Sequence, residues 1–193
     1  MDLGVLFQRI TSDSSLSKDE KELVSKISDE YRDWELSLTN EESRLIRKYT
    51  LNSHDDKKPN RFFERLNRVM RGSYDGVDKN KLIAYGHVIS NAICKHPIQQ
   101  QIVCYRGMDY NLMKNVAIGS TFKFDQFIST SIIEAGALKR RFKYVILVPE
   151  GVNGAYIGNL SAFQNQYEFL LDYNCEYKLI AKSGRIVYLE VVV

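Results

Sequence analysis

A chain of 193 residues, 44% of them hydrophobic and 26% charged, has the size and composition of an ordinary one-domain globular protein with a proper core. Its net charge of +3 is too slight to argue for nucleic acid, since the lysines and arginines between residues 18 and 71 alternate with nearly as many acids, as solvated helix faces do. No run of about 18 apolar residues is present, which excludes a membrane-spanning helix, and the start Met1-Asp2-Leu3-Gly4-Val5-Leu6-Phe7 is too short and lacks the basic leader of a signal peptide.

In chain order, Ser17-Lys18-Asp19-Glu20 is a capping box, in which hydroxyl and carboxylate satisfy each other's backbone donors. Leu23, Ile27, Tyr31 and Trp34 follow at helical spacing as one apolar stripe. A second box, Thr39-Asn40-Glu41-Glu42, opens a helix carrying Leu45, Ile46 and Tyr49. Residues 52–60, polar and ending in Pro59-Asn60, read as a loop that holds His54. Residues 61–71 predict a third helix with Phe62, Phe63, Leu66 and Met70 inward, stopped by Gly72. After a turn at 75–78, residues 82–94 form a fourth, largely apolar helix ending before Pro97, in which His87 packs or caps.

From Gln101 the period changes. Residues 102–105, 121–124, 127–131, 144–148, 154–157, 169–171, 177–180 and 186–193 read as strands separated mostly by short turns. Helices followed by strands predict an α+β fold, with N-terminal helices packed against a two-sheet, mainly antiparallel β-sandwich or split barrel. No repeat or flexible tether marks a boundary, so the expectation is one domain over 1–193, mainly helical over 1–95 and mainly β over 100–193. Cys94, Cys104 and Cys175 are odd in number and far apart, which argues against disulfides and zinc and for small buried hydrophobes. His54, His87 and His96 lack ligand spacing, and no metal is expected.

Three stretches carry chemistry-bearing residues. Residues 154–171, GAYIGNLSAFQNQYEFLL, read as a strand, a loop of small and amide residues, and a second strand opening at Tyr167, with Glu168 at its lip. A carboxylate beside the apolar run Phe169-Leu170-Leu171 costs something to desolvate, unless it simply reaches water. Arg106 ends a strand and is followed by Gly107. Alone it reads as a surface charge, but the glycine leaves room for a ligand and the guanidinium fork suits a phosphate. Ser129-Thr130-Ser131 presents hydroxyls alternately on the two faces of a sheet, or is plain β-propensity.

In sequence order, Tyr-Arg-Gly, Phe-Ile-Ser-Thr-Ser and Gln-x-Glu-Phe-Leu-Leu resemble the Arg-Ser-Glu class of mono-ADP-ribosyltransferases, most closely the clostridial Rho-inactivating exoenzymes. The resemblance runs from about Trp34 to the C-terminus. Trp34, Leu38-Thr39 and Tyr49-Thr50 resemble that family's opening helix, and Asn67-Arg68-Val69-Met70-Arg71 its Asn-x-x-Leu-Arg segment, with Met in place of Leu, a mild swap. The resemblance implies an ADP-ribosyltransferase fold, NAD as substrate and no metal. It implies that Arg106 grips the NAD pyrophosphate with Asn67 and Arg71, that Gly107 offers main-chain contact to the nicotinamide amide, and that Ser129 bonds near Glu168 and the ribose. Phe163 and Gln166 lie where that family meets its protein target, and Gln rather than Glu at 166 is associated there with a non-guanidine acceptor. Arg140 and Arg141, between Ile132 and Tyr144, read as a solvated basic patch and receive no role.

The residue types suit that chemistry. Breaking the nicotinamide–ribose bond develops an oxocarbenium-like centre, and the leaving group already carries positive charge, so one carboxylate suffices. The implied function is transfer of ADP-ribose to a host protein by a secreted monomer acting in the target-cell cytosol, with an Asn of a Rho-type small GTPase as first choice. The alternatives are another acceptor (a Gln or Thr, or a nucleobase, which the weak charge disfavours) or an inert interaction module of the same fold.

Overall fold

The computed structural model describes residues 16–51 and 61–193. The expected loop at 52–60, with His54, and the reading of Met1–Phe7 lie outside the described residues. Both capping boxes form. Ser17 Oγ accepts the Glu20 N–H at 3.2 Å while Glu20 accepts the Ser17 N–H at 2.9 Å, starting α1 (Lys18–Glu30). Thr39 and Glu42 repeat the exchange at the start of α3 (Asn40–Thr50). The apolar stripe expected to run unbroken to Trp34 is divided at Tyr31, where the helix stops and restarts as α2 (Arg32–Ser37). The break serves packing: the Tyr31 hydroxyl donates to the Gly154 carbonyl at 3.1 Å, and its ring meets Trp34, His96 and Phe169 edge-on. This side chain ties the helical half to the strands.

Helix α4 (Phe62–Met70) ends at Gly72, whose φ of +68° is the left-handed geometry a helix stop uses. Helix α5 (Lys79–Ile93) lies against it and carries Gly86, where a Cβ would stand 2.6 Å from the Met70 sulfur. His87, expected to pack or cap, is exposed on α5, because the buried stripe runs through Leu82, Gly86, Ile89 and Ile93 instead. Among the described residues no helix is long and apolar enough to cross a membrane.

All eight expected strands form: β1 (Ile102–Met108), β2 (Thr121–Lys123), β3 (Ile128–Ser131), β4 (Phe142–Val148), β5 (Gly154–Tyr156), β6 (Glu168–Leu171), β7 (Glu176–Ser183) and β8 (Ile186–Val192). They pair in the order β2-β7-β8-β4-β1-β3-β6-β5, with β4 and β8 parallel and the other pairs antiparallel. The expected mixed α+β fold is present, and the two groups of strands, expected as two sheets, are joined in one ladder. The join is a single pair, Tyr105↔Ser131. One residue further on the backbones no longer pair, and the Arg106 guanidinium reaches across to donate to the Ser129 carbonyl instead. One hydrophobic core takes in both halves, from Ile27 and Trp34 to Leu189 and Val191, and Phe169, Leu170 and Leu171 at its centre have no exposed surface. The three cysteines are free; Cys104 and Cys175 are buried and Cys94 is half-buried.

Candidate active site

The strand carrying Glu168 begins one residue before its apolar run, and one after the opening expected at Tyr167. Residues Gln164–Gln166 form a turn of 3-10 helix, Tyr167 takes the left-handed conformation at φ 46°, and β6 opens at Glu168. That kink aims the carboxylate back beneath the loop. The pleat does the rest: β3 runs antiparallel to β6 with Ser131 opposite Glu168 and Ser129 opposite Leu170, which puts Ser129 and Glu168 on one face. Thr130 points to the other face and donates to the Phe169 carbonyl at 2.7 Å.

Glu168 does not reach water, as a loop-end charge would; it is 4% exposed. Ser129 Oγ donates to its Oε1 at 2.5 Å and Ser161 Oγ to its Oε2 at 3.1 Å. Burial pushes the carboxyl above the usual range, against the downward pull of the Ser129 and Ser161 bonds and of the Arg106 charge. Arg106 is half-buried, held by its bonds to the Ser129 carbonyl and to the Met108 sulfur at 3.1 Å. Its remaining donors make no hydrogen bond among the described residues.

These residues line a cleft of about 530 Å³, large enough for a nucleotide. Its lining includes seven of the eight residues that the sequence singled out: Asn67, Arg71, Arg106, Ser129, Phe163, Gln166 and Glu168. Asn67 donates to the Tyr49 hydroxyl at 3.0 Å, while its buried Oδ1 has no partner among the described residues. Gly107, the eighth, lies in an adjoining hollow that shares Arg106, Ser129, Leu138 and Gln166 with the cleft. Its lack of a side chain does not leave a vacancy for a ligand. A Cβ there would stand 1.8 Å from the Leu138 carbonyl and 2.9 Å from the Arg140 stem, so the missing side chain is what lets the 137–141 segment cross β1.

Sequence reasoning missed the supports. Ser161, 3% exposed, holds the second carboxylate oxygen and accepts the Phe163 N–H at 3.2 Å. Thr50 accepts the Ala162 N–H at 2.9 Å, pinning the same loop to the end of α3. The position of Ser161, seven residues before Glu168 in a loop of small residues, was the available signal. Arg140, left without a role, also lines the cleft and lies 3.9 Å from Asp109. Among the described residues no group of three or more His, Cys, Asp or Glu gathers to hold a metal ion.

Comparison with known proteins points the same way. A family model described as ADP-ribosyltransferase exoenzyme matches residues 27–187. An Enterococcus faecalis protein named NAD(+)–arginine ADP-ribosyltransferase EFV is 28% identical over 163 residues, 79% of this chain, and the chain spans 31% of that relative's length. Among solved structures, Plx2a, an ADP-ribosyltransferase toxin from Paenibacillus larvae, superposes with a TM-score of 0.69 at 23% identity over 90% of this chain and 97% of its own. An ADP-ribosyltransferase from Clostridium botulinum, in a triclinic crystal form, gives 0.71 at 20% identity over 88% and 94%. The exoenzyme of the same kind from Clostridium limosum gives 0.70 at 18% identity over 89% and 94%. At such identities the structural likeness is one of fold.

Proposed function

This chain belongs to the ADP-ribosyltransferase exoenzyme family, and on that premise we propose that it cleaves the nicotinamide–ribose bond of NAD and transfers ADP-ribose to a side chain of a host protein. The observation that carries the proposal is the convergence of Arg106, Ser129 and Glu168 on one cleft. In this reading Arg106, with Asn67 and Arg71, holds the diphosphate and fixes the sugar for attack, an orientation effect. Glu168, held by Ser129 and Ser161, faces the ribose and favours its developing positive charge. Gln166, neutral on the cleft wall, positions the acceptor by donating and accepting at once, and Phe163 beside it offers an apolar contact.

The acceptor we propose is an Asn of a Rho-type small GTPase, modified by a secreted monomer acting in the target-cell cytosol. The amide at Gln166 supports it, because an amide matches an amide acceptor and a second carboxylate would favour a guanidinium. The arginine named in the enterococcal relative supports a second reading, in which the acceptor is an arginine. One experiment tests both. The protein is incubated with labelled NAD and a purified Rho-type GTPase or a host-cell lysate, nicotinamide is measured, and the labelled residue is located by mass spectrometry. Nicotinamide release with label on an Asn is the expected result, and label on an Arg favours the second reading. Folded protein that releases no nicotinamide overturns the transferase proposal.

A further inference from the structure

The run Lys139-Arg140-Arg141 has neighbours that its position in the sequence does not reveal. It leads into β4, whose first residues pair with the start of β8, Lys143 opposite Ile186, and the Lys143 N–H donates to the Arg185 carbonyl at 2.9 Å. On its other side β4 pairs with the end of β1, Met108 opposite Phe142. Lys139, Arg140, Arg141 and Arg185 are thereby gathered at one end of the sheet, and all four are exposed.

Two acids sit among them and both are engaged. Asp109 lies 3.9 Å from Arg140, and Glu134 accepts from Lys143 at 2.7 Å. Arg141 rests its guanidinium over the Phe142 ring, 5.6 Å from the centroid. Among the described residues Lys139, Arg141 and Arg185 have no acidic partner within ion-pair distance, so the patch carries surplus positive charge. It is also continuous with the cleft, since Leu138 and Arg140 line the cleft wall and Leu138 is 53% exposed.

We propose that this patch is a docking surface for the acidic face of the protein acceptor, which it steers toward the cleft mouth. The inference rests on the transferase reading only in calling the partner an acceptor. Unpaired cations at the rim of a site raise the rate of encounter with an oppositely charged partner. An exposed leucine at the edge of the patch suits a protein surface, which can offer it an apolar counterpart, better than a phosphodiester chain, which cannot. The patch uses the cations that the catalytic reading leaves idle.

The test reverses the three idle cations together, K139E/R141E/R185E, in the full chain. Binding of fluorescently labelled polyglutamate is followed by anisotropy at low and high sodium chloride, and nicotinamide release from NAD alone is followed in parallel. The wild type is expected to bind polyglutamate more weakly as salt rises, and the variant to lose about tenfold or more in affinity while releasing nicotinamide at the wild-type rate. No binding by the wild type, or equal binding by the variant, overturns the proposal. Tighter binding of a single-stranded oligonucleotide of equal length, lost in the variant, overturns the choice of a protein partner. A wild type that binds polyglutamate but releases no nicotinamide removes the transferase reading and leaves the patch itself standing.

Discussion

On the floor of the cleft Glu168 is 4% exposed with both oxygens bonded, while on the rim Phe163 is 37% and Leu138 53% exposed. The floor is made of paired strands, β3 and β6, whose register places Ser129 and Glu168 on one face. The rim is made of short loops; the one carrying Phe163 is held by the Ala162 and Phe163 N–H groups donating to Thr50 and Ser161. On the proposed function the contrast separates two tasks. Bond cleavage in the dinucleotide needs a charge fixed in a poorly hydrated place, and recognition of a second macromolecule needs surface left uncovered.

The floor is most sensitive at Glu168. In Glu168→Gln, nicotinamide release should fall by about 10²–10³-fold, with a much smaller change in NAD affinity. Stability should move the other way. The folded protein holds this carboxyl above its unfolded range, so its contribution to stability is complete below the unfolded range and is lost as pH rises through the folded value. Above that folded value the ionised group costs stability, and there the neutral amide should melt higher than the wild type, the gap closing in acid. Near-normal turnover, or a lower melting point for the amide across the alkaline range, would contradict a buried, bonded carboxylate on the floor.

A smaller effect is expected one bond away. Ser161→Ala removes a donor that pulls the Glu168 carboxyl down, so the acid limb of the pH–rate profile should move to higher pH. Nicotinamide release at mildly acid pH should drop by about tenfold, while the alkaline rate changes less. An equal loss at every pH would mean that Ser161 shapes the loop rather than the charge. The smallest effect belongs to the rim. Phe163→Ala should lower kcat/KM for the protein acceptor by about fivefold, more than it lowers nicotinamide release, as read by parallel labelling and release assays. Equal losses in the two assays would erase the distinction between floor and rim.

The floor was legible in the sequence because its elements are local and periodic. Capping boxes, the apolar run after Glu168 and the alternating hydroxyls at 129–131 each declare an element and a face. The supports were less legible because they come from chain crossings. The loop of small residues marks where Ser161 lies but not that its hydroxyl turns to a carboxylate seven residues on, and nothing near Gly107 says that Leu138 passes over it. Tyr31 fits its helical stripe by spacing, yet the helix breaks there because its hydroxyl finds Gly154, 123 residues away. His87 failed for the converse reason. Its helix is apolar on most sides, so the sequence could not say which side faces out.

Among the described residues a lone rung, Tyr105 opposite Ser131, is the backbone pairing that joins the two groups of strands. Arg106 belongs to one group of strands and Glu168 to the other, so any molecule that touches both bridges a seam in the sheet. A dinucleotide bound across that seam, as the proposed function requires, should act as a splint as well as a substrate, so the melting temperature should rise with NAD concentration.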